Sequence, residues 1–226
     1  MMRLLAASLL AALIGLPVPL LAQERPLALV DEAQSDGTWT SFRAQLLAAV
    51  ERRDLETVLS MIQPDVRNGS DAPHGIEEFR VQWHLNGGDT PFWRELAKAL
   101  ELGSAWLTID GRPRELCAPY LLAKWPRDLD PFHTGLISAR DAPVRAGPSE
   151  RAQTIATAAF VLVPVADWEV NDSDAALARK WVKVRFRGRD GYLAEEHMRS
   201  PIEHAACFAK TDAGWRLTVF GPAGRD

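Results

Sequence analysis

The sequence predicts an α+β N-terminal domain followed by a small all-β barrel. In the first half of the chain, apolar residues between Phe42 and Ile62 recur at the spacing of an amphipathic helix. Beyond a linker with two prolines at 126–132, nearly every segment is a short apolar run bounded by turn residues, which is typical of strands. The predicted divisions are a leader at 1–22, an α+β domain at 23–134, a barrel at 135–202, and a C-terminal hairpin and tail at 203–226.

The first 22 residues are typical of a secretory signal peptide. Arg3 precedes an apolar stretch from Leu4 to Leu16, two prolines follow, and small Ala22 stands before polar residues. The uninterrupted apolar run is shorter than the roughly 20 residues that span a bilayer. We expect cleavage after Ala22 and a periplasmic or secreted mature chain with no membrane span. A permanent membrane anchor is the alternative.

Composition and charge restrict the class of partner. The formal net charge of −4 is mildly acidic and gives no electrostatic footprint for nucleic acid, so we expect no nucleic-acid partner. A hydrophobic fraction of 47% is ordinary for a globular protein and argues against long disorder.

Helical segments dominate the predicted N-terminal domain. We expect Ser41 to cap a helix that runs to Ile62 and ends at Pro64, or two shorter helices broken near 53–54. A polar, turn-rich stretch follows at 65–75. A second helix begins at Ile76, and a third runs from Pro91 to Gly103, with Thr90 as its cap. Period-two patterns then predict a strand at 105–109, a turn at 110–113, and a second strand or extended segment at 115–125.

The remainder of the chain predicts short strands. The expected segments are 136–139, 144–145, 154–157, 160–165, 181–186 and 191–194, followed by a hairpin of 205–210 and 215–220. Pro164 inside a strand indicates an edge position or a bulge, because proline cannot donate to a ladder. We expect the polar stretch at 168–180 to pass over the surface.

Three motifs in this region occur together and in one order. They are VRAGPS at 144–149, WVKV at 181–184 and GRDGYLAEEHM at 188–198. On these motifs, residues 135–202 resemble a bacterial SH3 domain, a small and strongly bent β-barrel. The resemblance implies a module that binds peptide or cell-envelope material, peptidoglycan included. Such exported domains often accompany cell-wall hydrolases, so an enzyme has to be considered as well.

Residues 41–132 loosely resemble the α+β domains of the nuclear-transport-factor-2-like superfamily. The resemblance depends on the opening helix FRAQLLAAVERRDLETVLSMIQPDV and on the terminal KTDAGWRLTVF, which is similar to the last hairpin of such domains. It suggests the hypothesis that the C-terminal hairpin returns to the first domain and completes its sheet.

The chain has two cysteines, Cys117 and Cys207. In an oxidising compartment the pair can form one disulfide, which would tie the middle of the chain to its end. Two buried free thiols are the alternative. The sequence leaves both open, because it does not give the Cα separation that the bond requires.

Motifs for catalysis and metal binding are absent from the sequence. No GxSxG elbow occurs, and the five histidines form no HxH, HxxxH or HExxH pair. Cys117 lies in a predicted strand without an oriented base, although His84 and His133 are candidates. Acid pairs such as Glu195 and Glu196 are typical of solvated turns. We therefore expect no catalytic residue, no metal and no cofactor.

Aromatic residues give the sharpest candidate site. Eight tryptophans are many for this length, and most are expected to fill cores. Trp168 follows a predicted edge strand and Tyr192 lies near the end of the barrel, so the two are candidates to line a shallow groove for a peptide or glycan.

These observations predict a non-catalytic exported binding protein. Its partner would be a peptide, peptidoglycan or an envelope protein. The alternative is a cell-envelope hydrolase or accessory enzyme with a site in the N-terminal domain, around 65–84. A third hypothesis is a protein that takes part in an assembly and binds no small ligand. A large flat apolar patch would indicate this function.

Overall fold

The computed structural model describes residues 24–69, 74–87, 90–108 and 114–223. The predicted signal peptide at 1–22 and the predicted turn at 110–113 lie outside these residues. The described chain is a mixed α+β structure with two β-sheets, more strands than helices, and short connections.

Helices and short strands alternate in the first 124 residues. A two-residue strand, β1 (Arg25–Pro26), comes first. The elements that follow are α1 (Gly37–Glu51), α2 (Leu55–Ser60), β2 (Ile62–Arg67), α3 (Ile76–Gln82), α4 (Phe92–Glu101), β3 (Ala105–Leu107), β4 (Glu115–Ala118) and α5 (Leu121–Lys124).

The opening helix begins earlier than the sequence predicted. Asp36, not Ser41, caps α1, because its Oδ1 accepts hydrogen bonds from the backbone N–H groups of Thr38 at 2.8 Å and Trp39 at 3.3 Å. The break near 53–54 is present, and Asp54 caps α2 in the same way through Thr57 N at 3.1 Å. The second of the two predicted arrangements, a pair of short helices, is therefore the observed one.

Two further predictions in this part were wrong. Pro64 does not end a helix but lies within β2, in a stretch that the sequence indicated as helix and turn. The segment at 115–125 is a strand only to Ala118, after which its apolar residues form α5. Apolar runs of this length fit a buried strand or a buried helix equally well.

The second sheet contains most of the remaining strands. They are β5 (Thr134–Ile137), β6 (Ala142–Arg145), β7 (Thr154–Ala158), β8 (Val161–Asn171), β9 (Lys180–Phe186), β10 (Arg189–Ala194) and β11 (Met198–Arg199), with a 3-10 turn at Glu195–His197. β8 extends to Asn171, so the predicted surface excursion at 168–180 is shorter than expected. Pro164 lies inside β8, and the pairing with β9 shifts register from Val165 onward.

The pairing order of this eight-stranded sheet is open. It runs β11-β5-β8-β9-β10-β6-β7, and β1 pairs with β8 beside this path. No closed barrel is found in the described residues, so the finer prediction of a bacterial SH3-like arrangement stays a prediction. The coarser prediction, an α+β part followed by a β-sheet part, describes the chain.

The C-terminal hairpin lies in the first sheet. Its strands, β12 (His204–Thr211) and β13 (Gly214–Pro222), occupy the middle of a five-stranded sheet with the order β2-β13-β12-β4-β3. β12 runs antiparallel to β4, and β13 runs parallel to β2. Cys117 and Cys207 are register partners across β4 and β12, and a disulfide joins them.

Two cores lie on these sheets, and a smaller cluster connects them. The helices cover the first sheet with a core rich in aromatic rings, whereas the core of the second sheet is mostly aliphatic. The connecting cluster centres on Tyr120, Leu121, Leu136 and Leu162. The Tyr120 hydroxyl donates to Leu27 O at 2.9 Å, and burial raises the pKa of Tyr120 to about 12. In the described part of the chain, no helix has the length and apolar character needed to cross a bilayer.

Candidate functional site

A cleft of about 470 Å³ lies where the two parts of the molecule meet. One wall is the C-terminal end of α4 with Lys98, Glu101 and Leu102. The other walls come from the second sheet, and the turn between β11 and β12 closes the base with Ser200, Ile202 and Glu203. The volume falls in the range of small-molecule and peptide-anchor sites.

Trp168, which the sequence singled out, lies on a wall of this cleft. It stands on β8, is half-buried, and packs against the core of the second sheet. Its indole Nε1–H donates to Phe132 O at 2.7 Å, so the polar atom of the ring is already satisfied. A Cβ at Gly135 would come within 2.7 Å of Trp168 Cη2 and of Met198 Cε, so the absence of a side chain at Gly135 makes room for the ring.

Apolar side chains form much of the remaining lining. Phe132 is the most exposed of them, with 63% of its surface accessible. An exposed phenylalanine beside a half-buried tryptophan is a surface that loses water favourably when a ligand covers it. The other apolar lining residues are Leu102, Ala139, Val182, Met198 and Ile202.

The rim of the cleft is acidic. Over the whole lining of the cleft there are five glutamates and two cations, a formal charge of −3. Glu196 forms an ion pair with Arg179, and Glu203 pairs with Arg199 at 2.6 Å. The other three carboxylates, on Glu101, Glu169 and Glu195, make no side-chain hydrogen bond or ion pair within the described ranges.

A buried ion pair lies at the base of the cleft. Arg199 is only 5% exposed, its Nη2 donates to His204 O at 3.1 Å, and its Nε has no hydrogen-bond partner among the described residues. Glu203 Oε1 accepts from Ser200 N at 2.6 Å. Burial raises the pKa of Glu203, and the neighbouring Arg199 charge opposes that rise.

A second carboxylate lies close by in a different environment. Glu95, on α4, is buried beside His204, whose Nδ1 is 3.5 Å from Glu95 Oε2. Hydrogen bonding to His204 lowers the pKa of Glu95 to about 2, helped by Arg94 and Lys98. His204 also lines a smaller pocket of about 260 Å³, together with His84, Thr90 and Trp83.

Tyr192, the other predicted ligand-binding residue, is not in the cleft. It is half-buried on β10, between its register partners Arg145 and Lys183. Lys183 is also the register partner of Asp167, the neighbour of Trp168 along β8. Trp168 packs on the core that contains Val182, and neighbouring residues of a regular strand point to opposite faces, so Lys183 and its partner Tyr192 lie on the other side of the sheet. The structure does not bring the two into one groove.

The remaining sequence candidates are scattered. His133 Nδ1 is 2.6 Å from Asp130 Oδ2 on the exposed linker. Cys117 and Cys207 are bonded to each other, so neither is a free thiol in this structure. Within the described ranges, no three His, Cys, Asp or Glu side chains are grouped closely enough to bind a metal ion.

Comparison of the chain with protein-family models, with curated proteins and with solved structures finds no match.

Several cleft residues were missed at the level of sequence. Glu195 and Glu196 were interpreted as a solvated turn, and Glu101, Glu169 and Arg199 carried no pattern at all. Phe132 gave the one usable signal, since a large aromatic residue in a proline-containing polar linker has no core of its own to enter.

Proposed function

We propose that this protein is a non-catalytic exported binding protein that takes a peptide, free or as part of an envelope polymer, into the cleft between its two parts. The observation that supports this proposal most directly is the aromatic wall of the cleft. Trp168 lines the cleft, its Nε1–H donates to Phe132 O, and Phe132 itself is exposed. Flat rings offer apolar contact area at low conformational cost.

The filled interior of the first part supports a binder. Its core contains tightly packed rings, and the large cleft lies at the border with the second sheet rather than beneath the helices. Binding sites commonly occur at such borders between structural units.

We also infer that the second sheet is a bacterial SH3-like module. The motifs that carry the resemblance fall in consecutive elements. VRAGPS spans the end of β6 and its turn, WVKV lies in β9, and the last motif continues from β10 through the 3-10 turn into β11. Trp168 and Val182 then belong to the face of that module that meets the first part.

A sedimentation assay with purified sacculi, combined with a screen of synthetic peptides, tests the function. The mature chain is expected to bind one or both ligands, and Trp168→Ala is expected to weaken binding at least about 10-fold, as loss of a central aromatic anchor does. Tyr192→Ala is the matched control, since it removes a half-buried ring from the opposite face. Wild-type protein that binds neither ligand, or binding that depends on Tyr192 and not on Trp168, would contradict the proposal.

The smaller pocket favours one alternative, an enzyme of the cell envelope. A carboxylate that orients a histidine is a common acid–base arrangement, and Glu95 and His204 have this relation beside His84. Release of soluble fragments from sacculi by the wild type, abolished by His204→Gln, would support the enzyme over the binder.

A further inference from the structure

We infer that the ligand lays a lysine or arginine residue along the cleft, with the backbone carbonyl of that residue near Arg199 and the charged end of its side chain at the acidic rim. The inference rests on the proposed function and specifies the chemistry of its ligand. It commits the cleft to a basic peptide segment.

The unpaired carboxylates set the sign of the ligand charge. Glu101, Glu169 and Glu195 are exposed and have no partners in the described chain, whereas Glu196 and Glu203 are already paired with arginines. Three uncompensated negative charges around one opening attract a cation and repel an acidic side chain.

The lining beneath the rim suits the stem of such a side chain. Lysine and arginine carry three or four methylenes that pack on apolar surface while the charged end stays in a polar setting. The N–H of Trp168 is taken by Phe132 O, and a cation close to the face of its indole would gain additional electrostatic attraction. A small hydrated ion would leave the apolar lining uncovered.

The base of the cleft adds an independent requirement. Arg199 lines the cleft, is 5% exposed, and has two buried nitrogens, Nε and Nη1, without a hydrogen-bond partner in the described residues. Nη1 still lies 2.6 Å from Glu203 Oε2, whereas Nε has no acceptor. Buried donors are nearly always paired in folded proteins, so this one indicates an acceptor that arrives with the ligand. A peptide carbonyl supplies that acceptor, and a simple amine does not.

Matched heptapeptides provide the test. The set is identical except for a central lysine, arginine, norleucine or glutamate, and affinity for the mature chain is measured by fluorescence anisotropy. The lysine and arginine peptides are expected to bind about 10-fold or more tightly than norleucine at 50 mM salt, and glutamate least. The advantage of the cationic peptides should shrink at 500 mM salt, because rim charges are screened.

Two double variants test whether the preference for a cationic peptide depends on the carboxylates of the cleft. Glu169→Gln with Glu195→Gln is expected to lower lysine-peptide affinity about 10-fold and to leave norleucine-peptide affinity unchanged. Glu51→Gln with Glu56→Gln removes two exposed carboxylates from α1 and α2, away from the cleft, and should change neither. Cadaverine, which has the cation but no carbonyl, should bind more weakly than the lysine peptide.

The outcomes separate this inference from the proposed function. If norleucine binds as tightly as lysine and Trp168→Ala abolishes both, the cationic ligand is wrong and the binding cleft stands. Equal affinity for cadaverine and the lysine peptide would overturn the role of the carbonyl. Binding to sacculi without binding to any peptide would overturn the inference alone. If neither sacculi nor any peptide binds, the proposed function fails and this inference fails with it.

Discussion

The two sheets bury their apolar residues with different side chains. In the core on the first sheet, Trp39 of α1 is fully buried against Phe42, Phe208 and Trp215, with ring centroids 4.9 to 6.0 Å apart. The core of the second sheet is built mainly from valine, leucine and alanine, and its half-buried Trp168 lies at the edge of that core. The difference between Trp39 and Trp168 teaches that a tryptophan stabilises the fold where it is enclosed by other side chains and is available for contact where it lines a cleft.

Position relative to the sheet decides which role a ring takes. Trp39 is enclosed by three other rings and leaves no space for a ligand. Trp168 lines the cleft between the two parts and is only half-buried. Substitution of an enclosed ring should therefore lower stability, whereas substitution of a cleft ring should mainly weaken ligand binding.

Trp39→Ala is expected to lower the free energy of unfolding by about 3–5 kcal/mol, because it removes a fully buried ring and leaves a cavity among its neighbours. Urea denaturation followed by circular dichroism measures the change. Trp168→Ala, measured in parallel, should cost about 1–2 kcal/mol, since the ring is only half-buried. Equal losses for the two variants would remove the distinction between the sheets.

Replacement of both cysteines by alanine is expected to lower the free energy of unfolding by about 2–5 kcal/mol, because the disulfide joins residues 90 positions apart and restricts the unfolded chain. The bond lies in the first sheet. Amide exchange should therefore accelerate more in β12 and β13 than in β9. If exchange became faster only in β9, the prediction that the disulfide stabilises mainly the first sheet would be wrong.

Acid should destabilise the fold, because Glu95 is protonated as the pH falls. Its pKa is lowered to about 2, first by the hydrogen bond with His204, from roughly 4.3 in an unfolded chain. The stabilising contribution is thus complete above about pH 5 and is lost as the pH falls toward 2. Glu95→Gln should flatten the fall of the thermal midpoint across this range. An unchanged slope would show that Glu95 is not the group responsible.

Trp168→Phe is the mildest change. It keeps a ring in the cleft but removes the N–H that donates to Phe132 O, at a cost of about 0.5–1.5 kcal/mol. Stability should change little, and peptide affinity should fall a few-fold because Phe132 is no longer fixed. An affinity as low as that of Trp168→Ala would assign the whole effect to the hydrogen bond rather than to the ring face.

Local signals predicted much of the fold. Pro91 and Gly103 mark the limits of α4, and the TDAG turn marks the C-terminal hairpin, because these residues act on their immediate neighbours. The return of that hairpin to the first sheet was a hypothesis drawn from a family resemblance and from the possible bridge between the two cysteines, and its pairing with β4 was not predicted. β2 was missed because its partner in the sheet, β13, lies more than 150 positions later in the chain. The proline within β2, Pro64, was interpreted as the end of a helix.

The candidate site was only partly predictable. Trp168 was found because an aromatic residue after a strand is conspicuous in sequence. Its acidic neighbours come from α4, from β8 and from the 3-10 turn after β10, and only the packing of the two sheets brings them together. Tyr192 was predicted in the same groove as Trp168 but lies on the opposite face of the sheet. The face of a strand residue depends on the pairing register, which the sequence did not reveal.

The disulfide has a consequence for the integrity of the molecule. It encloses in one covalent ring every strand from β5 to β11, because all of them lie between Cys117 and Cys207. A single cut by a protease at an exposed loop inside that ring, such as 173–178, leaves the two fragments attached. They come apart on a denaturing gel only after a thiol reductant is added, so an oxidised chain can be nicked there and still migrate as one species.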